Sequence, residues 1–311
     1  MKTQHYDLIG DIHGQHDKLI TLLSRLGYQP NGGGFRHTEG RKVIFLGDYI
    51  DRGPKVRATL STVRSMVEAG DALAIMGNHE YNAVLYHAPD GQGGWLRPRR
   101  QDRDGGLRVT LEQFAGLDEE WAGWLEWMRQ LPMFLDLGDL RAVHACWDAK
   151  RIEHLMGQSL ADDEFLHASA EKGTQLCGAV DHVLKGPEMD MPEGYFFCDK
   201  EGCMQSTVRV RWWDIPETAR VAHLALPVPF DDPGEAEPGQ LRRLPNYGHE
   251  EPPVFFGHYW MPADQDKAPL RHNIACLDFS AAREGPMVAY RWNGEQTLSA
   301  RNFVTAASSK A

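Results

Sequence analysis

The 311-residue chain has no uninterrupted apolar run approaching the roughly 18 residues needed to cross a bilayer. Met1 to His5 is too polar and too short for a signal peptide, so a soluble cytoplasmic protein with no membrane partner is expected. Cysteine is scarce as well: Cys146, Cys177, Cys198, Cys203 and Cys276 form an odd set without a CxxC pair. Neither a disulfide framework nor a thiolate zinc site is expected. Positive charge is also short, with 33 Lys and Arg against 44 Asp and Glu for a formal net charge of -11. Stable nucleic-acid binding is therefore not expected, because that affinity rests on many basic contacts to phosphate. A small phosphorylated substrate stays open, since a metal site can reverse the local sign. No internal repeat recurs at a fixed period.

With 42% apolar residues and 25% charged, the chain can bury a sizeable core. One α/β domain over residues 1–311 is expected. The amino-terminal half alternates: Tyr6 to Ile9 reads as a strand, Leu19, Leu22, Leu23 and Leu26 as a helix face stopped by Gly27. Val43 to Leu46 repeats the strand, Ala58 to Ala69 the helix, and Ala72 to Met76 gives a third strand. Spacing of about 30 residues between strand ends predicts βαβ units and a parallel sheet, with the loops after the strands along one edge.

Trp121, Trp124, Leu125 and Met128 predict a helix from Asp118 to Gln130 with Asp118 as N-cap, its tryptophans read as core. Met133 to Leu137 and Leu140 to His144 read as a hairpin. The remainder reads as β-rich, with strands at Thr207 to Trp213, Val221 to Leu226, Val254 to Phe256, Ile274 to Phe279 and Met287 to Trp292. Residues 87–106 and 229–253 are expected to be loop excursions, as functional lids or as disordered segments.

Five clusters follow apolar runs: Gly10-Asp11-Ile12-His13-Gly14, Gly47-Asp48-Tyr49-Ile50-Asp51-Arg52-Gly53-Pro54, Gly77-Asn78-His79-Glu80, Val143-His144, and Phe255-Phe256-Gly257-His258. Each sets carboxylate, amide or imidazole donors just past a strand, mostly beside glycines that let the backbone turn tightly. An oxygen and nitrogen donor set of this kind suits a divalent metal such as manganese, iron or zinc. A purely structural role would pack several polar side chains at apolar strand ends, each at a cost of roughly 1 to 3 kcal/mol if buried unpaired. His144 and His258 taken singly read equally well as core histidines; their place in the series makes them candidate ligands.

In this order, GDIHG, GDYIDRG, GNHE, a single His and a later GH resemble the calcineurin-like metallophosphoesterases, specifically the phosphoprotein phosphatase branch. The motifs span residues 10 to 258, most of the chain. The resemblance implies a β-sandwich flanked by helices on both outer faces, with a dinuclear centre at one edge. It implies Asp11 and His13 on a first metal, Asp48 bridging, and Asn78, His144 and His258 on a second. Two divalent ions are expected, manganese first, with iron or zinc as alternatives.

The implied activity is hydrolysis of phosphomonoesters by metal-bound hydroxide, as in serine/threonine phosphatases. His79 would be the general acid, Asp51 would hold it protonated, and Arg52 would clamp phosphate together with Asn78. A phosphopeptide, a small phosphoester or a nucleotide is the expected partner. The alternative is phosphoanhydride cleavage in a dinucleoside polyphosphate or nucleotide, and a third reading is a phosphoester-binding module without turnover.

Three departures bear on substrate. Trp260 stands where many phosphodiesterase relatives carry the second His of GHxH. Ala145-Cys146 follows His144 where the protein phosphatase branch favours two glycines. Symmetrical diadenosine tetraphosphatases tend to lack the acid of the Asp-Arg pair and to read GNHD, so Asp51 and Glu80 point away from them. A second phosphate arginine is not alignable: Arg209, Arg211, Arg220, Arg242 and Arg243 are candidates, and Arg97, Arg99, Arg100 and Arg103 form a further cluster whose bland reading is a solvated face.

Overall fold

The computed structural model describes residues 4–99, 105–198, 204–226 and 232–306. The strand Tyr6–Ile9 pairs in parallel with Lys42–Phe45, which pairs in parallel with Ala72–Ala74. On its other side it pairs antiparallel with Met287–Trp292, and that strand with Phe303–Ala306. These five make one mixed sheet. A second sheet of four runs Ile274–Cys276, Val254–Phe256, Arg141–Val143, Phe134–Asp136. There the first three are parallel and the last pair is the expected hairpin.

The central strands are apolar on both faces because both faces are covered. Leu8, Ile9, Val43, Ile44 and Phe45 are fully buried, as are Val254, Phe255 and Phe256 in the second sheet. The sheets meet through side chains such as Phe255 and Tyr290, with ring centroids 5.0 Å apart. Helices His16–Arg25 and Val56–Glu68 present Leu19, Leu22, Leu23 and Leu60, Val63, Met66 to this core. The architecture is the mixed α/β sandwich with helices that the motifs led one to expect.

Parallel register decides where the chain can do chemistry. Ile9 lies opposite Phe45, and Phe45 opposite Ala74. The turns at Gly10, Leu46 and Ile75 therefore leave the first sheet along one edge. In the second sheet Phe255 lies opposite Ala142, and Phe256 opposite Cys276, so His144, Gly257 and Leu277 leave it along one edge too. The two edges touch: a Cβ at Gly10 would collide with the Leu277 carbonyl, which makes glycine obligatory there.

Three expectations are corrected. The second half is not simply β-rich, because Ala149–Glu153, Asp163–Ala170 and Gln175–Lys185 are helices. The last buries Cys177, Val180, Val183 and Leu184 at helical spacing, and the Thr174 hydroxyl caps it by accepting from Cys177 N. Val221–Leu224 is a helical turn rather than a strand. A short apolar run has no decisive period, and Val221, Leu224 and Ala225 turn one face toward a small second cluster with Met189, Met191, Val208 and Val210. Finally, Leu117 rather than Asp118 is the N-cap of Asp118–Arg129, and Asp118 lies in the first turn. Of the two expected loops, 87–106 ends where the helix Gly105–Gln113 begins, and 229–253 contains the turn of helix Pro238–Leu241. Residues 100–104 and 229–231, including Arg100 and Arg103, lie outside the described residues.

Asp7 ties the first sheet together from inside. It is fully buried, and Arg41 donates to both its oxygens at 2.9 and 3.0 Å. Arg291 Nε adds a bond at 3.0 Å and the Tyr28 hydroxyl another at 3.0 Å. Removing one partner of a buried pair strands the others without compensation. Asp7→Ala is expected to lower unfolding free energy by roughly 3 to 5 kcal/mol, read from urea denaturation, with Arg41 left uncompensated.

Candidate metal centre

The turns that leave both sheet edges are unusually bent. His13, Asp48, Asp51, Arg52, His258 and Trp260 adopt left-handed backbone with φ of 46°, 55°, 71°, 66°, 67° and 48°. For non-glycine residues this costs on the order of 1 to 2 kcal/mol each and survives only where the surroundings dictate it. Glu80 supplies much of that dictation. Fully buried in the first turn of helix Asn78–His87, its Oε2 accepts from Asp48 N at 2.8 Å and Gly77 N at 3.0 Å. Its Oε1 accepts from Tyr49 N at 2.8 Å and Ile50 N at 3.2 Å. Burial and the nearby Asp48 carboxylate push this carboxyl up to about 7, against the opposing pull of His79, His144 and the Tyr49 N–H.

Glycines make room for the carboxylates. A Cβ on Gly77 would meet Asp48 Oδ1 and N, and a Cβ on Gly257 would meet Asp11 Oδ1. Neither position tolerates a side chain while Asp48 and Asp11 stay in place.

The side chains then converge as acceptors. His13 Nδ1 donates to the Ile50 carbonyl at 2.8 Å, which turns the lone pair of Nε2 inward. That Nε2 is buried without a hydrogen-bond partner, 3.4 Å from Asp48 Oδ2 and 4.0 Å from Asp11 Oδ2. His144 repeats the device: Nδ1 donates to the Leu46 carbonyl at 2.7 Å, and Nε2 faces Asn78 Oδ1 at 3.0 Å and Asp48 Oδ1 at 3.4 Å. His258 Nδ1 comes within 2.9 Å of the same Asn78 oxygen. Lone pairs facing lone pairs repel unless a proton or a cation lies between them.

Protonation shifts express the same crowding. Burial, Asp278 and Asp48 raise Asp11 well above the usual carboxylate range. Burial pushes Asp48 upward, yet His144, His79 and His13 hold it well below that range. Burial lowers His144, but Asp48 and Asp11 carry it up to about 10. Burial drives His13 down to about 3, and burial with Arg209 and His144 drives His258 well down. Asp48 belongs to two groups able to hold a cation, one with His13 and His79, the other with His144 and His258. A carboxylate has two oxygens and can serve both; an imidazole cannot. These two groups could hold divalent cations, and the Asp11 carboxylate and the Asn78 amide oxygen stand beside them.

Beside these groups stands His79. Its Nδ1 contacts Asp51 Oδ2 at 2.5 Å, and Asp51 Oδ1 accepts from the Thr110 hydroxyl at 2.6 Å. Burial lowers this imidazole, but Asp48 and Asp51 raise it above its ordinary value, which favours the protonated form. Arg52 Nη2 lies 3.4 Å from His79 Nε2, and Arg52 Nε is buried without a partner. Two donors side by side leave a place for an anionic oxygen between them.

Every residue read from the sequence as a candidate is therefore in this cleft: Asp11, His13, Asp48, Asp51, Arg52, Asn78, His79, His144 and His258. Of the arginines whose place was open, Arg209 lies close enough to His258 to lower its pKa. Arg220 is turned to Asp232, Arg97 to Asn82, and Arg99 stacks on Trp95. The bland histidines behave as such, His16 bonding Thr62 and His272 the His249 carbonyl. Sequence reasoning missed the clamping role of Glu80, the Thr110 bond to Asp51, and buried Asp278, which accepts from Trp260 N at 2.8 Å and Ser280 N at 2.9 Å. Glu80 had a signal, an acid three residues past a glycine at a helix start; Asp278 follows a strand as Asp11 and Asp48 do.

Residues 5–168 match the family model described as calcineurin-like phosphoesterase. The bis(5'-nucleosyl)-tetraphosphatase PrpE (asymmetrical) of Halalkalibacterium halodurans is 33% identical over 37% of this chain and 43% of its own. A protein of the same name from Oceanobacillus iheyensis is 30% identical over 49% of this chain and 58% of its own. The match thus spans about half the length of these relatives. The symmetrical bis(5'-nucleosyl)-tetraphosphatase of Dechloromonas aromatica is 31% identical over 67% of this chain and 76% of its own. Asp51 and Glu80, which pointed away from such proteins, do not keep this chain from resembling them.

Gly77→Ala is expected to displace the Asp48 carboxylate and empty at least part of the centre, read as lost metal by elemental analysis after dialysis against manganese. Gly123→Ala, in helix Asp118–Arg129 with open space around it, is expected to be neutral or stabilising by up to about 1 kcal/mol. Retained metal in the first variant contradicts the steric reading.

Proposed function

We propose, from the premise that this chain belongs to the calcineurin-like phosphoesterase family, that it is a metal-dependent hydrolase acting on a phosphoanhydride of a dinucleoside polyphosphate. The observation that carries the hydrolase reading is the convergence of ligand-type nitrogen and oxygen atoms from His13, Asp48, Asn78, His144 and His258 beside the His79–Asp51 contact. The names of the relatives support the substrate class. Hydrolysis of a phosphomonoester, as the motifs alone suggest, is the second reading, favoured by the intact Asp51, Arg52 and His79 arrangement.

Two divalent cations held by Asp11, His13, Asp48, Asn78, His144 and His258 would polarise phosphoryl oxygens and acidify water. The chain's own groups do the rest. Arg52, with Arg209 as partner, binds the phosphate oxygens and orients the phosphorus. His79, protonated at Nε2 and held through Nδ1 by Asp51, gives its proton to the leaving oxygen. Thr110 fixes the Asp51 carboxylate so that its free lone pairs face the imidazole. The left-handed backbone at Asp51 and Arg52 aims both side chains from one turn.

Hydrolysis of diadenosine tetraphosphate with added manganese should exceed that of a phosphopeptide, with products resolved chromatographically; the reverse order favours the phosphomonoester reading. Separation of two ADP from ATP plus AMP tells where the chain is cut. His79→Asn is expected to reduce turnover by about 10² to 10⁴ with metal content unchanged. Loss of metal in that variant would make His79 a ligand instead.

A further inference from the structure

Trp260 directly follows the His258-Tyr259 pair, and its indole is flanked by two guanidinium groups. Arg52 Cζ lies 4.0 Å from the ring centroid and Arg283 Cζ 4.6 Å from it. His79, Arg52, Trp260 and Arg283 thus form a row that runs from the buried centre to the surface, where Arg283 is exposed. Arg283 makes no ion pair or side-chain hydrogen bond among the described residues, although the chain carries 44 acidic residues. An aromatic face attracts each cation, but two cations on one ring still repel and are best reconciled by an anion.

The segment that carries Arg283 is firmly placed. Lys18, itself buried, donates through Nζ to the carbonyls of Ala281 at 2.7 Å, Arg283 at 2.9 Å and Gly285 at 2.9 Å. Ser280 at its start is left-handed with φ of 63°, and its N–H is held by Asp278 at 2.9 Å. A Cβ on Gly285 would collide with the Phe279 carbonyl, so the return of this loop needs glycine. Such a loop presents its arginine in one place at little further entropic cost.

We infer that Arg283 is a specificity-determining residue that binds a second phosphate, beyond the one held by Arg52, and so selects substrates with linked phosphates. The inference rests on the phosphoanhydride reading above and adds the group that would distinguish such a chain from a single phosphoester. The two guanidinium carbons can be no further apart than the sum of their distances to the ring, a gap that adjacent bridged phosphates can span. A nucleotide and inorganic polyphosphate are equivalent acceptors here, because both offer the same non-bridging oxygens to a guanidinium fork.

The test uses the metal-loaded protein, with an aryl phosphate as substrate and orthophosphate or tripolyphosphate as competing inhibitor at fixed free manganese. Wild type is expected to bind tripolyphosphate about tenfold more tightly than orthophosphate, as one additional charge-assisted contact provides. Arg283→Gln should remove that advantage while leaving orthophosphate inhibition and aryl phosphate kcat/KM within about twofold; Arg283→Lys should retain part of it. Equal weakening of both inhibitors, or no change in either, overturns the assignment. Comparing diadenosine tetraphosphate with ATP and with tripolyphosphate as substrates separates nucleotide from inorganic sources. If wild type cleaves no dinucleoside tetraphosphate while Arg283→Gln still loses the tripolyphosphate advantage, the substrate reading falls and the anion site stands.

Discussion

The cleft depends on one buried carboxylate that is not itself among the converging donors. Glu80 gathers backbone N–H groups from Gly77 and from three successive residues, Asp48 to Ile50. It thereby welds the turn after the second strand to the start of the helix after the third. Without that bond network the left-handed backbone at Asp48 has no reason to persist, since an L residue there is strained and the neighbouring turns are free to relax. The position of the Asp48 carboxylate is thus set by a residue one helical turn from Gly77, and the His79 N–H bond to Asp48 Oδ1 at 3.0 Å completes the junction.

Around that junction the chain has concentrated groups that disagree with one another in isolation. Two carboxylates, three imidazoles with inward ring nitrogens and one amide oxygen share this space. Two of the imidazole orientations are decided elsewhere: Ile50 and Leu46 carbonyls take the outer N–H of His13 and His144. Repulsion among acceptors is the stored condition that makes cation binding favourable, and it explains why burial alone does not set the protonation of Asp48 or His144. Arginines stand beside these groups, where Arg52 keeps an unpartnered buried Nε and Arg209 lies near His258. Acceptors suited to cations and donors suited to anions are thus packed side by side.

Much of this was legible in order of residues. The strands before Gly10 and Leu46 announced themselves as apolar runs, and the donors after them stood at the only places where a parallel sheet lets loops converge. The helices between residues 149 and 185 were not read from the sequence, although Val180, Val183 and Leu184 of the last recur at helical spacing. Val221 to Leu226 misled for a related reason: four or five apolar residues fit a strand or a helical turn equally until a neighbouring surface chooses.

The sequence by itself determined which chemistry was possible, since residue type fixes which atoms can donate, accept or bridge, and since glycine at Gly77 and Gly257 is the residue that leaves space for a carboxylate. Only the tertiary structure decided which ring nitrogen faces inward, that Thr110 and Asp278 belong to the cleft, and that Arg209 rather than Arg220 or Arg97 approaches it. Those outcomes depend on contacts between residues far apart in the chain, such as Asp11 with His258 and Asp51 with Thr110. No local period or motif encodes such distances; the register of two sheets does.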